Sequence, residues 1–135
     1  MTTVRIGYEG SLRTSCEHTR SGAIIRTDAP VDNRGLGQGF SPTDLVATAL
    51  GACMITVMGI KAEDKGWSLV DVSCEVVKVM EESPRRIGGI ELLITMPAKL
   101  EVNQREILER VARTCPVARS LSNELEQVVQ FRYDG

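Results

Sequence analysis

Aromatic residues and net charge are what this sequence has least of. Phe, Trp and Tyr make up 4% of its 135 residues, which leaves no run of aromatic side chains on which nucleobases could stack. The formal net charge is −2, so no excess of positive charge indicates a nucleic-acid or anionic-membrane partner. We therefore expect a core of Val, Ile, Leu, Ala and Met.

A secretory signal and an apolar run of membrane length are also missing. The first ten residues, MTTVRIGYEG, have no basic start followed by an apolar stretch. The uncharged run from Leu45 to Ile60 is shorter than the ~20 residues that a bilayer requires. We expect a soluble, cytoplasmic protein, in which the four cysteines are reduced unless a transient, catalytic disulfide forms.

Neither a metal nor an organic cofactor is expected. Cys16 and His18 form a Cys-x-His pair, but zinc sites usually use three or four ligands, and no clear set is present. The glycines of GLGQG lack the preceding strand and the spacing of a dinucleotide-binding loop. The low aromatic content argues weakly against flavin or haem.

Strands and helices form separate groups along the chain, which indicates the α+β class in a single domain over residues 1–135. The first half is expected to hold strands at 2–9, within 10–18 and at 22–28, a loop over 28–39 and a long helix over 42–65. The second half is expected to hold a strand over 69–82 with a bulge at Val76-Val77, a strand over 90–98, a helix over 104–113 capped by Asn103, a short helix to about Asn123 and a strand over 128–134.

The long helix over 42–65 has a well-specified start. Ser41 is a suitable N-cap and Pro42 suits the first helical position. Asp44 then places a negative charge near the positive end of the helix dipole. These three residues predict where the helix begins.

The same helix presents no polar face between Leu45 and Ile60, so we expect it to be buried on all sides. A second copy of the chain is favoured as the cover for its far side, with Gly51 and Gly59 permitting close approach of the backbones. The alternative cover is the segment 104–123 of the same chain. The first option predicts an obligate homodimer.

Of the four cysteines, Cys115 has a context that indicates chemistry, whereas Cys53 on its own is by default a core residue. Cys53 lies in the middle of the long helix, beyond the first turn in which the dipole acts, so a reactive Cys53 would need an arginine from elsewhere. Cys115 precedes Pro116, which places its thiol at the N-terminus of a new helix, where a thiolate is stabilised. Cys74 lies on the apolar face of a strand and is interpreted as structural.

The segments FSPTDLVATALGACM, which contains Cys53, and TCPVARSL, which contains Cys115, resemble the cysteine motifs of the OsmC/Ohr superfamily of small dimeric thiol peroxidases. The order of expected elements is similar over nearly the whole chain, and the sequence looks most like the less characterised OsmC-like branch. The resemblance implies an intertwined homodimer, with strands wrapped around two central helices and active sites at the interface.

The resemblance also implies a two-cysteine cycle. Cys53 would attack a hydroperoxide O–O bond and become a sulfenic acid, and Cys115 would resolve it as a disulfide. A small or protein dithiol would then reduce the disulfide. The apolar Met54 and Met58 near Cys53 favour an organic hydroperoxide as substrate.

Family members use an arginine to hold the thiolate and a carboxylate to orient that arginine. Arg13 is the best match for the arginine, and Arg34 is the second choice. The residue after the helix proline is Glu in the best-studied branches but Thr43 here, so Asp44 either replaces that Glu or serves only as a cap. His18 either donates or accepts a hydrogen bond near the site, or joins two strands at the surface.

Two other functions stay open. Because the family Glu is missing at Thr43, the protein is alternatively a non-enzymatic module that binds a small hydrophobic ligand. A redox sensor that cycles through the same disulfide without high turnover is the third possibility.

Overall fold

The computed structural model describes residues 1–134, which contain six strands and three α-helices. The chain folds as two compact units, Met1–Val46 and the remainder from Ala47. Strands and helices are segregated along the chain, as expected for the α+β class, which is confirmed. The assignment of a single domain to the whole chain stays a prediction.

The first unit is a three-stranded antiparallel sheet followed by a loop. Strands β1 (Val4–Gly10), β2 (Arg13–His18) and β3 (Ile24–Asp28) are joined in the order β1-β2-β3. All three lie within about two residues of their predicted positions. The predicted loop follows β3 and contains one short 3₁₀ turn, Val31–Asn33.

That loop folds back tightly on the end of β3. The backbone N–H of Gly35 donates to Pro30 O at 2.9 Å. A Cβ atom at Gly35 would lie 1.6 Å from Ala29 O, so no residue but glycine fits there without a shift of the backbone. The loop also returns to Asp28, whose backbone N–H donates to Phe40 O at 3.0 Å.

Helix α1 (Pro42–Lys65) has the predicted bounds. Ser41 Oγ accepts the Asp44 N–H at 3.0 Å, and Asp44 Oδ2 accepts the Ser41 N–H at 3.0 Å, which forms a reciprocal capping box. Gly66, with φ of +72°, ends the helix in the left-handed conformation. By length and composition alone α1 could cross a membrane, a test that core helices of soluble proteins also pass.

The second unit contains a mixed sheet with a helical crossover. Strand β5 (Arg86–Met96) is central, antiparallel to β4 (Ser73–Glu81) and parallel to β6 (Glu126–Tyr133). A parallel pair needs a long connection, and α2 (Val102–Arg113) and α3 (Pro116–Ser120) supply it.

The core of the second unit is aliphatic, as predicted. Along β5 every second side chain is buried, which is the period expected of a strand with one face on the core. The buried apolar residues are Ala47, Leu50, Met54, Met58 and Ala62 of α1, Ile90, Leu92, Ile94 and Met96 of β5, and Leu100, Leu108, Ala112 and Cys115.

Several predicted boundaries in this unit were wrong. Strand β4 begins at Ser73 rather than 69, because Asp71 has φ of +56° and turns the chain just before it. The register shift lies at Val79/Met80 rather than at Val76-Val77.

The helical segment also differs from its prediction. Helix α2 is capped by Glu101 instead of Asn103, because the Glu101 N–H donates to the Gln104 side chain at 2.8 Å and starts the helix two residues earlier. Helix α3 ends at Ser120 instead of about Asn123.

The packing of α1 contradicts the expectation that Gly51 lets the backbones of two copies approach closely. A Cβ atom on Gly51 would lie 3.3 Å from Val76 Cγ2 and 3.5 Å from Cys74 Sγ, so Gly51 packs against the β4–β5 sheet of its own chain and makes no room for a second copy. Gly59 has open space beside it. On the outer side of α1, Val46 and Ile60 are 37% and 56% exposed.

Candidate functional site

The structure brings together the two cysteines that the sequence singled out. Cys53 lies in the middle of α1 and Cys115 directly precedes α3, and Cys53 adds to the effect of burial in raising the pKa of the Cys115 thiol, so the two side chains are neighbours. Both are free thiols. Two residues far apart in sequence are therefore neighbours within one unit.

The two thiols differ in access to solvent. Cys115 is buried, with 1% of its surface exposed, and it belongs to the apolar core. Cys53 packs against the same core but is only partly buried. A reagent from solvent therefore reaches Cys53 first.

The backbone fixes the position of the Cys115 sulfur. Cys115 is the N-cap of α3 in an extended conformation (φ −65°, ψ 157°), as expected for a residue before Pro116. Its Sγ accepts the Ala118 N–H at 3.4 Å. Its carbonyl accepts the Arg119 N–H at 3.0 Å, which closes the first turn of α3.

Electrostatics keep Cys115 protonated. Burial raises the pKa of the Cys115 thiol, the Ala118 N–H lowers it by a smaller amount, and the neighbouring Cys53 raises it again. The desolvation of the sulfur therefore outweighs the hydrogen bonds at the start of α3, which would favour a thiolate. Burial also raises the pKa of Cys74, consistent with a structural thiol.

In the first unit, Arg13 is held by two side chains. Its Nε lies 3.6 Å from Asp28 Oδ1, and its Nη2 donates to Gln38 Oε1. The Asp28 side chain is 5% exposed and that of Arg13 37%. Arg13 is therefore a positioned guanidinium with part of its surface open to solvent.

Asp28 and Gln38 were missed by sequence reasoning, which looked for the carboxylate in the long helix. The pairing of strands β2 and β3 would have identified Asp28, because Arg13 and Asp28 lie opposite each other in that hairpin. The Gln38 N–H donates to Asp28 Oδ2 at 3.0 Å. This hydrogen bond lowers the pKa of Asp28 most, and Arg13 lowers it further against the opposing effect of desolvation.

Asp44 and Thr43 lie at the start of α1. Asp44 forms the capping box with Ser41, so one of the two roles proposed for it is observed. Thr43 Oγ1 lies 3.2 Å from Ser41 Oγ, within hydrogen-bonding distance. The role of Asp44 in orienting an arginine stays a prediction.

The remaining predicted site residues lie in varied settings. Arg34 is exposed in the loop after β3, with φ of +75°. His18 is exposed, and its Nδ1 lies 2.7 Å from Ser21 Oγ in the β2–β3 turn, which agrees with a role in joining two strands. Met54 is fully buried in the core and offers no surface to a ligand.

A cavity of about 470 Å³ lies beyond the C-terminal end of α1, in the second unit. Its lining combines apolar side chains, such as Trp67 and Leu100, with the polar Lys99 and Asp71. It contains neither cysteine of the pair. Within residues 1–134, no group of three His, Cys, Asp or Glu side chains is placed to hold a metal ion.

Known proteins share both the sequence pattern and this fold. The model of the family described as "OsmC-like protein" matches residues 35–129. The chain belongs to the OsmC-like family. The resemblance drawn from the two cysteine motifs is thereby confirmed, whereas no curated protein matches the chain.

Solved structures similar to this OsmC-like protein include one from Psychrobacter arcticus 273-4, described as a putative osmotic stress induced and detoxification response protein. It is 45% identical, with a TM-score of 0.94, over 98% of this chain and 96% of that chain. An organic hydroperoxide resistance protein OsmC from Legionella pneumophila is 20% identical, with a TM-score of 0.77 and 98% of each chain covered. One from Elizabethkingia anophelis is 12% identical, with a TM-score of 0.76 over 99% of this chain and 98% of that chain. The last two similarities show the fold alone.

Proposed function

We propose that this OsmC-like protein is a thiol-dependent reductase of organic hydroperoxides that works in the cytoplasm as a homodimer. The observation that carries the proposal is the neighbouring pair Cys53–Cys115, in which one thiol is partly open to solvent and the other is buried. A two-cysteine peroxidase needs this asymmetry, because one thiol must meet the substrate and the second must reach the oxidised first.

The cycle balances as follows. The Cys53 thiolate attacks the terminal oxygen of ROOH, the O–O bond breaks, and the products are the Cys53 sulfenic acid and ROH, with one proton taken up by the leaving alkoxide. The Cys115 sulfur then attacks the sulfenic sulfur, and the S–O bond breaks to release water. A dithiol reduces the resulting disulfide by two successive exchange steps and is itself oxidised to a disulfide.

A cation near the reacting thiolate is part of the proposal. Arg13 remains the first choice and Arg34 the second. The arrangement within the first unit favours Arg13, because Asp28 and Gln38 orient its guanidinium. Arg34, by contrast, is exposed in a loop.

The homodimer is supported by the outer side of α1. Val46 and Ile60 are exposed there on a helix without a polar face. Exposed apolar surface of this kind marks an interaction site. A second copy of the chain is the partner that the proposal assigns to it.

The alternative function is the binding of a small hydrophobic ligand without catalysis. The cavity beside Trp67 and Leu100 favours it, because about 470 Å³ lies within the size range of small-molecule sites. A slow redox sensor would use the same cysteine pair as the peroxidase.

The deciding experiment treats the reduced protein with one equivalent of an organic hydroperoxide, such as cumene hydroperoxide. Digestion without reductant and mass spectrometry should show a peptide that links Cys53 to Cys115, and a dithiol chase should remove it. The Cys115→Ser variant should instead accumulate a Cys53 sulfenic acid that dimedone traps. The matched control is Cys74→Ser, which should form the disulfide like the unmodified protein.

Rate separates the three functions. A bridge that forms within seconds and turns over with ROH release supports the reductase. A bridge that forms but does not turn over supports the sensor. If both thiols stay free, or oxidise slowly and independently, the reductase is excluded and ligand binding is tested next.

A further inference from the structure

We infer that the cavity beyond the end of α1 is a binding site for a small zwitterion with an apolar side chain, the chemistry of an apolar amino acid. The cavity measures about 470 Å³ and is lined by two segments, residues 66–71 after α1 and residues 97–104 between β5 and the first turn of α2. Along α1, Cys53 lies about 18 Å from the helix end at Lys65, at 1.5 Å per residue. The inference therefore does not rest on the proposed function.

Backbone hydrogen bonds fix both segments that line the cavity. The Trp67 N–H donates to Ala62 O at 2.9 Å, which ties the first segment to the end of α1. In the second segment, the Arg105 side chain donates from Nε to Leu100 O at 2.8 Å and from Nη2 to Ala98 O at 3.0 Å. The cavity is therefore formed before a ligand arrives, as small-molecule sites usually are.

Both segments contribute apolar side chains to the lining. Trp67 and Val70 come from the first segment, and Pro97 and Leu100 come from the second. Trp67 packs against the core and is partly buried, Leu100 is 6% exposed, and Val70 is 60% exposed. A ligand with an apolar group would remove part of the Val70 and Trp67 surface from water, which is favourable.

The two segments differ in their polar groups. The second offers donors, because Lys99 is a cation and Gln104, whose Oε1 accepts the Glu101 N–H at 2.8 Å, keeps its NH₂ group as a donor. The first offers the carboxylate of Asp71. Within residues 1–134, neither Lys99 nor Asp71 forms an ion pair. The cavity therefore presents one cation and one anion that are not paired with each other.

This charge arrangement selects the class of ligand. A ligand with a carboxylate alone would be attracted by Lys99 but repelled by Asp71, and a ligand with an ammonium alone would meet the opposite. A molecule that carries both charges can place its carboxylate towards Lys99 and its ammonium towards Asp71. Its apolar side chain then remains for the surface of Trp67.

The test uses Trp67 as its reporter, because it is the single tryptophan of the chain. Titration of the full chain with L-phenylalanine should change the tryptophan fluorescence in a saturable way. Two probes with the same ring each lack one charge: 3-phenylpropionate lacks the ammonium and phenethylamine lacks the carboxylate. Each should bind roughly three- to fivefold more weakly than L-phenylalanine, which is the effect of one exposed ion pair.

Two substitutions should separate the charges. Lys99→Met should weaken L-phenylalanine and 3-phenylpropionate by roughly three- to fivefold, without weakening phenethylamine. Asp71→Asn keeps a residue that tolerates the positive φ at this position, and it should weaken L-phenylalanine and phenethylamine without weakening 3-phenylpropionate. Lys65→Met and Asp64→Asn change exposed charges at the end of α1 that do not line the cavity. These two controls should leave all three affinities unchanged.

An absent response at millimolar L-phenylalanine, both in fluorescence and in the single indole N–H resonance of the ¹H–¹⁵N NMR spectrum, would overturn the inference. So would either singly charged probe binding as tightly as L-phenylalanine, or Lys99→Met behaving like its Lys65→Met control. If a variant does not fold by circular dichroism, the NMR titration of the unmodified protein decides. Its shifts should centre on residues 66–71 and 97–104, and shifts centred elsewhere would reject the site.

The proposed function fails separately. A response to L-phenylalanine without a hydroperoxide-induced disulfide would support the site and exclude the reductase. A rapid disulfide in a protein that gives no response to L-phenylalanine would support the reductase and exclude the site.

Discussion

Asp28 lies across the β2–β3 hairpin from Arg13, with Oδ1 3.6 Å from the guanidinium Nε. The other carboxylate oxygen accepts the Gln38 N–H, and Gln38 in turn accepts a hydrogen bond from Arg13. The three residues form a closed cluster in which an arginine, a carboxylate and the end of the Gly-rich loop fix one another. Asp28 thus contacts Arg13, which is the contact that the sequence analysis had assigned to Asp44.

The first prediction concerns the acid stability of this cluster. The pKa of Asp28 is lowered below 3.8 in the folded state, so its carboxylate stabilises the fold above pH 3.8 and loses that effect as the pH falls through its folded pKa. Asp28→Asn should therefore have a lower Tm than the unmodified protein at pH 6, and the two Tm values should converge towards pH 3. Thermal unfolding followed by circular dichroism measures both.

The control for that experiment is Asp64→Asn, an exposed change near the end of α1. Its Tm difference should stay constant over the same pH range. A difference between Asp28→Asn and the unmodified protein that persists unchanged at pH 3 would show that Asp28 acts through packing and not through its charge.

The second prediction ranks the two arginines. If Arg13 stabilises the Cys53 thiolate, Arg13→Ala should reduce the rate of alkylation at Cys53 at pH 7 by roughly tenfold or more, because a nearby opposite charge favours the ionised form. Arg34→Ala should change that rate less than twofold. Arg13→Lys should recover part of the rate, since it keeps the charge without the planar fork. The opposite ranking would move the role to Arg34.

How far the fold was predictable depended on whether the signals were local. The start of α1 was predicted correctly because Ser41, Pro42 and Asp44 all act within one turn. The start of α2 was not, because two overlapping patterns compete there, and Glu101 with Gln104 displaces the predicted cap at Asn103. Local rules do not decide between two such patterns, since the path of the chain after β5 sets which one forms.

In the candidate site, too, local motifs indicated some features and tertiary packing decided the others. The motifs singled out Cys53 and Cys115, and that the two act as a pair stays a prediction. The helix N-terminus favours a lowered pKa for the Cys115 thiol, whereas burial raises it. A position before proline indicates a helix N-terminus, whereas the burial of the sulfur results from tertiary packing that no motif records. Asp28 required the register of a hairpin, which depends on strand pairing between residues distant in sequence.

The third prediction tests the homodimer. Ile60→Glu places a charge on the exposed apolar side of α1. If two copies bury this side, the change should weaken the dimer roughly a hundredfold or more, because a symmetric interface loses each contact twice. Sedimentation equilibrium measures the dissociation constant. Val102→Glu, which replaces a 70% exposed residue at the start of α2, is the control and should leave the dimer intact.

A monomeric unmodified protein at micromolar concentration would reject the homodimer directly. So would an Ile60→Glu variant whose dissociation constant equals that of the Val102→Glu control. In either case the exposed side of α1 would need another partner.

The last prediction concerns the contact that joins α2 to β6. Tyr133 Oη donates to Glu109 Oε2 at 2.5 Å, and the Arg105 guanidinium lies 4.1 Å from the centre of the Tyr133 ring. Burial and the hydrogen bond to Glu109 both raise the pKa of Tyr133, so the phenol stays protonated and the bond persists well above neutral pH. Tyr133→Phe removes only the hydrogen bond and should lower the free energy of unfolding by about 1–2 kcal/mol.

Tyr133→Leu also removes the aromatic face under Arg105 and should cost about 0.5–1 kcal/mol more, from the lost cation–π contact. Urea unfolding at pH 7 measures both variants, with Tyr8→Phe, at a 70% exposed ring, as the control expected to change stability by less than about 0.5 kcal/mol. Equal losses for Phe and Leu would assign the whole effect to Glu109. No loss for Phe would mean that Glu109 and Tyr133 are equally well satisfied by water, and that packing alone holds the end of β6 against α2.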